Sequence, residues 1–286
     1  MAQSQAEIAE LVAQMPDTDE PGKESKFTGP EPQAARKVFE EILAGGPESI
    51  AELIRLVRAS TDPDFKDYRA QYVLHGLVVY VCQTEKEALR RVLAETLASH
   101  VGRGELSKGV RGSLIRELQW VGGAAEIEAI SRQLEDDELC EYAVSALIAI
   151  REGAGEAFRR ALPRAKGKGR LAIVQALGVL GDGAAAAALK EAAGDEGRDV
   201  RIAAVWSLAN IGDPGSADLL IKASDTQDAW ERIQAAKSCL LLAEKLLAAG
   251  KKADAARIYS HLHETRQGQT EQHVREAAEK GLAAAR

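Results

Sequence analysis

Aromatic side chains are scarce: Phe, Trp and Tyr together make up 4% of the chain. A single large globular core of this length draws on more bulky residues, so thin helical layers are the better match. Cysteine is as sparse. Cys82, Cys140 and Cys239 are an odd number without Cys-x-x-Cys spacing, which excludes a self-contained disulfide framework and a zinc signature. Each sits beside an apolar residue (Val81, Leu139, Leu240), where a thiol packs as a small hydrophobe. Positive charge is in deficit, with a formal net charge of −7 and a pI near 5.5. Binding carried by phosphate contacts needs a basic footprint, so the expectation is no nucleic-acid partner.

No run is long and apolar enough to span a bilayer, so no membrane partner is expected. Met1 to Gln14 lacks the charged-then-apolar layout of a signal peptide. A cytoplasmic protein is the expectation, with an exported mature form whose signal has been removed as the alternative. Catalytic signatures are missing as well. There is no Gly-x-Ser-x-Gly elbow, no P-loop and no dinucleotide fingerprint, and no cysteine adjoins a histidine. His261 and His263 are two apart on a helical stretch and point about 200° from each other, which does not suit one metal ion. His75 follows Tyr68 and Tyr72 at helical spacing and reads as a packed histidine. The expectation is no catalytic residue, no metal site and no cofactor.

What the chain has in abundance is alanine and a period. Arg170-Leu-Ala-Ile-Val-Gln-Ala-Leu-Gly-Val-Leu-Gly-Asp182 recurs as Arg201-Ile-Ala-Ala-Val-Trp-Ser-Leu-Ala-Asn-Ile-Gly-Asp213, and a third copy opens at Arg232-Ile233. Each step between the three arginines is 31 positions. Upstream, Leu147 to Ile150 aligns with Leu177 to Leu180, and Leu118 to Val121 aligns with Leu147 to Ile150. One period holds two short helices and two turns. The punctuation agrees. Gly212 and Gly181 suit left-handed helix ends, Asp213 and Asp182 suit the caps that follow, and Pro214 suits a first helical turn. Thr84 with Glu87, and Asp228 with Glu231, have the spacing of helix-start capping pairs. Val200, Ala204, Leu208 and Ile211 form an apolar stripe that one hairpin cannot bury alone, so hairpins must stack.

Asp199-Val200-Arg201, followed by Ala-x-x-Leu and Ile211-Gly212-Asp213, resembles the HEAT repeat, in particular the bacterial version of phycobilisome-lyase-like proteins. The match runs from about Glu117 to Glu244. The resemblance implies an all-α fold, a right-handed α-α superhelix (HEAT-repeat solenoid) of about seven helical hairpins. The expected pairs are 31–44/47–60, 66–82/85–101, 106–121/124–134, 138–151/154–162, 168–180/184–193, 199–211/215–223 and 228–249/252–266, with a final helix at 270–285. Residues 1–30 read as a short helix and a flexible linker. Residues 31–286 read as the solenoid, its C-terminal end atypical because Gly250 to Tyr259 looks like a tetratricopeptide segment. His263-Glu264 resembles the His-Glu pairs of HEAT-type deoxyhypusine hydroxylase, but that family holds its irons with several such pairs.

Implied function is a non-catalytic scaffold or adaptor with a protein or peptide partner, docked on the inner face of the second helices. The alternative is a lyase or chaperone-like subunit acting on a tetrapyrrole-binding protein. Purely structural end-to-end assembly is a third class. Two features are candidate binding residues. Trp206 aligns with Gln175 and Lys237, residue types that seldom lie buried, which places a tryptophan at a surface position. Arg159, Arg160, Arg164, Lys166 and Lys168, continuing to Arg170, form a basic run, with an acidic run upstream from Glu135 to Glu138 that could neutralise it. Trp120 and Trp230 read as packing residues.

Overall fold

The computed structural model describes residues 3–15, 31–58 and 68–286. The linker expected over 16–30 lies outside them, as does the junction of the first two hairpins. The chain divides into two compact units, Met1–Ala154 and Gly155–Arg286. All regular structure among the described residues is helical.

The first unit opens with α1 (Gln5–Ala13), capped reciprocally by Ser4 and Glu7. Ile8, Leu11 and Val12 are buried on its inner face, and the helix packs against α3 (Gly46–Leu56). The hairpins then follow in order: α2 (Pro32–Ala44) with α3, α4 (Arg69–Val81) with α5 (Glu87–Val101), and α6 (Lys108–Val121) with α7 (Ile127–Ser131). Next comes α8 (Cys140–Ile150). Helix α9 (Ala154–Ala161) begins at the boundary of the second unit. That unit continues through α10 (Gly167–Leu180) with α11 (Ala186–Ala192), α12 (Arg198–Ile211) with α13 (Ala217–Ser224), and α14 (Ala229–Ala248) with α15 (Lys252–Thr265). Helix α16 (Gln272–Ala285) closes it. Among the described residues α2 to α15 follow one another as seven helix pairs and α16 is a final helix, the element order of an α-α solenoid.

The repeat punctuation folds as its chemistry requires. Gly181 and Gly212 end α10 and α12 in the left-handed region, at φ 67° and 79°. Asp182 accepts from the Ala184 amide at 3.2 Å, and Asp213 accepts from the Gly215 amide at 3.0 Å. Asp228 caps α14 by accepting from the Glu231 amide at 2.8 Å. The Thr84 capping pair does not form. Glu85 takes a left-handed φ of 68°, which turns the chain away from Thr84, and α5 starts after Lys86 without a side-chain cap.

Leu118, Leu147, Leu177 and Leu208 occupy one repeat position and are all completely buried. Each contributes about 1.5–3 kcal/mol of burial. Cys239 holds this place in the next copy, also fully buried, and burial pushes its thiol up to about 12. Cys140 is buried too, whereas Cys82, expected to pack inside, is exposed.

The arginine that opens each copy explains its own recurrence. Arg170 donates from Nε to Asp195 at 2.7 Å and from Nη1 to the Leu162 carbonyl at 3.0 Å. Arg201 forks onto both Glu231 oxygens at 2.7 and 2.9 Å and donates to the Asp195 and Glu196 carbonyls. Arg232 repeats the pattern with Glu271 and the Thr226 carbonyl, both at 3.4 Å. Each guanidinium therefore satisfies carbonyls of the loop before its helix and ties that helix to an acid of a later repeat.

One buried titratable group sets a pH dependence. His100 on α5 is 4% exposed, its Nδ1 donating to the Thr96 carbonyl at 2.8 Å, and its Nε2 buried without a partner. Burial lowers its pKa from the usual value, against the Thr96 hydrogen bond and with the help of Arg103 and Arg55. The folded state thus binds a proton less readily than the unfolded chain, whose histidine titrates near about 6.5. The His100 contribution is complete above that pH and is lost as pH falls below it. Urea midpoints of the wild type should drop between pH 7.5 and 5, and His100→Gln should flatten the drop. Parallel curves for the two proteins would show that His100 is not the group responsible.

Candidate docking groove

In the second unit the first helices α10, α12 and α14 pack tightly side by side, while α11 and α13 approach each other only sparsely. The tight row carries a groove of about 840 Å³. Its apolar wall is Leu171, Val179, Ile202, Trp206, Trp230 and Leu241. Gln175 and Gln234 add hydrogen-bonding groups, and Asp199 and Lys237 supply one charge of each sign. The surface lies on first helices, not on the second helices where docking was expected. The reason is that the apolar stripe of each first helix is wider than its neighbours cover. Leu208 and Ala204 go inward, while Ile202 and Trp206 remain partly open.

Gln175 and Lys237 are exposed, as their residue types demand, but Trp206 between them is half-buried. The indole is larger than either neighbour in the alignment and lies in the groove instead of standing clear of it. Trp230 is 56% exposed and Trp120 is 60% exposed, so neither is the packing residue expected. Trp230 was missed because its repeat equivalent, Asp199, gives no hint of an aromatic position. Only the side-by-side stacking of α12 and α14 brings the two tryptophans to one groove.

The basic run does not join them. Arg159 on α9 pairs with Asp182. Thirty-one positions on, Lys190 pairs with Asp213 at 2.9 Å, so the Arg159 bridge is a repeated structural tie. Burial works to raise the Asp213 carboxyl, but hydrogen bonds from Lys190, Ser216 and the Gly215 amide hold it below the usual range. Arg160, Arg164, Lys166 and Lys168 are exposed. Lys168 borders a separate depression with Arg170, Asp195, Arg198 and Asp199. The acidic run finds its cation within the first unit, where Lys108 contacts Asp136 at 3.1 Å and Glu138 at 2.9 Å.

Among the described residues no group of His, Cys, Asp and Glu could hold a metal ion. His261 bonds Asp225 at 3.0 Å, and Arg266 reaches the same carboxylate. His75 is not packed inside: its side chain is 52% exposed, and its Nδ1 meets Glu117 at 2.9 Å. No helix among the described residues is long and apolar enough to cross a membrane.

No curated protein matches the sequence. Among solved structures the chain is similar to the complex of CpcE and CpcF of phycocyanin lyase from Nostoc sp. PCC7120. The identity is 17%, over 93% of this chain and 100% of that one, with a TM-score of 0.42. It is similar to human deoxyhypusine hydroxylase at 16% identity, over 98% and 96% of the two chains, with a TM-score of 0.34. A structure of the interaction between cadherin and beta-catenin shows 15% identity, over 97% of this chain and 63% of that one, with a TM-score of 0.43. The family model for HEAT repeats matches residues 156–240. The period, its punctuation and this match agree: residues 156–240 carry HEAT repeats.

Proposed function

We propose that the chain is a non-catalytic scaffold or adaptor that holds a protein or peptide partner in the α10–α12–α14 groove. The observation that carries this reading is the pair Trp206 and Trp230 in one open groove, rimmed by side-chain amides. Large, rigid aromatic anchors beside hydrogen-bonding groups are what concentrate binding energy at protein interfaces. The single positive charge of the groove is matched by a single negative one, which favours a peptide over a phosphate backbone.

A photo-crosslinking residue placed at Gln234 should capture the partner from the source organism, after which both proteins can be purified and titrated. The double variant Trp206→Ala, Trp230→Ala should then bind at least about 30-fold more weakly, corresponding to about 2 kcal/mol. Wild-type affinity in the double variant would remove the groove as the contact surface. Should the captured protein carry a tetrapyrrole whose visible band shifts on binding, the lyase or chaperone-like alternative would replace the scaffold.

A further inference from the structure

Glu117 departs from the pattern of its repeat position. The aligned copies hold Ala146, Ala176, Ser207 and Ser238 there, all buried. Ser207 shows why the place is tight: its hydroxyl donates to the Val174 carbonyl of the preceding first helix at 2.8 Å. In α6 the same place holds a carboxyl-bearing side chain only 6% exposed. Burying a carboxylate is costly unless it is paired and hydrogen-bonded. Its partner comes from the preceding first helix, α4, through the 2.9 Å contact with His75 Nδ1. A carboxylate accepts, so Nδ1 carries the hydrogen, the ring is fixed in orientation, and Nε2 is the nitrogen left for a ligand.

His75 lines a cleft of about 530 Å³ together with Arg36, Phe39, Tyr72, Gly76 and Tyr80. That volume is in the range of small-molecule sites. A side chain at Gly76 would run into the Phe39 ring, so the glycine lets α4 close on α2. Among the described residues no Asp or Glu lines the cleft, in a chain with 44 of them. Arg36 lies 5.9 Å from the Tyr80 ring centroid and has no ion pair among the described residues. The cleft thus combines an uncommitted guanidinium, an oriented imidazole and aromatic walls.

We propose that this cleft binds an organic anion, a carboxylate carried on an aromatic body. Arg36 takes the carboxylate together with His75, which gains a second proton as the ligand binds, so that Nε2–H donates to the ligand while Nδ1–H stays on Glu117. The rings take the body, and Glu117 is the positioning residue for His75. The carboxylate could belong to a free small molecule or to the C-terminus of a peptide, and two probes distinguish these. In amide-resolved NMR titrations, phenylacetate should shift Gln33, Gly76 and Gln83 saturably. Phenylacetamide, with the same ring and no charge, should bind at least tenfold more weakly. Arg36→Gln, at an exposed position, should cost at least tenfold in phenylacetate affinity. Glu117→Ser, the residue of the equivalent places, should weaken phenylacetate severalfold and shift the His75 ring nitrogen signals away from the single Nδ1–H tautomer. Acetyl-Gly-Gly-Phe binding at least tenfold more tightly than phenylacetate assigns the site to a peptide terminus, and the reverse order assigns it to a small molecule. The proposal falls if the shifts do not saturate, if phenylacetamide binds equally, or if Arg36→Gln leaves the affinity unchanged. It also falls if the His75 signals are the same with and without Glu117.

Discussion

Arg201→Ala is expected to destabilise the second unit by about 2–3 kcal/mol, although it removes a side chain that reaches the surface. The loss comes from three connections made by one guanidinium. Two N–H groups fork onto Glu231, and a third serves the Asp195 and Glu196 carbonyls. Glu231 is only 13% exposed at its side chain, so the variant leaves a carboxylate with poor access to water and two carbonyls short of a donor. Arg201 itself is 28% exposed, which lets water replace part of what is lost and keeps the expected cost below that of a fully buried pair. Arg201→Lys should recover little, because one ammonium cannot fork a carboxylate and reach the loop carbonyls together. Arg232→Ala should cost less, about 1 kcal/mol, since its corresponding bonds are 3.4 Å long. Urea denaturation of the three variants ranks them. A cost below about 0.5 kcal/mol for Arg201→Ala would mean that the ladder ornaments the stack without holding it.

Phe158→Ala should have the larger effect, about 3–5 kcal/mol, as expected for truncating a fully buried aromatic side chain. Phe158 lies on α9, beside the arginines that look from the sequence like a contact patch. Lys166→Ala, in the loop that follows α9, should stay within about 0.5 kcal/mol. The contrast between the two variants, read from denaturation midpoints, separates the two roles of this segment. If Phe158→Ala were as mild as Lys166→Ala, Phe158 would not be what anchors α9.

The sequence alone determined the fold class, the number of hairpins and most helix limits. These depend on local chemistry repeated at a fixed distance. A glycine that can turn left-handed, an aspartate that can cap and a leucine that must be buried each act within a few residues of their own position. Gly212, Asp213 and Leu208 are legible for that reason. Thr84 was misread because its capping role depended on a backbone angle at Glu85 that no residue type in the motif requires.

The candidate site was legible only in part. Alignment of Trp206 with Gln175 and Lys237 marked a surface position, and nothing in the sequence joined it to Trp230. Arg159 read as available charge because its partner, Asp182, is distant in the chain and was already assigned to a cap. Glu117 and His75 carried no signal, since each is ordinary within its own helix. Tertiary structure decided all of these. Pairing and burial are set by which side chains meet when one first helix stacks on the next, and a helix's own residue pattern specifies which face turns inward without specifying what that face will meet.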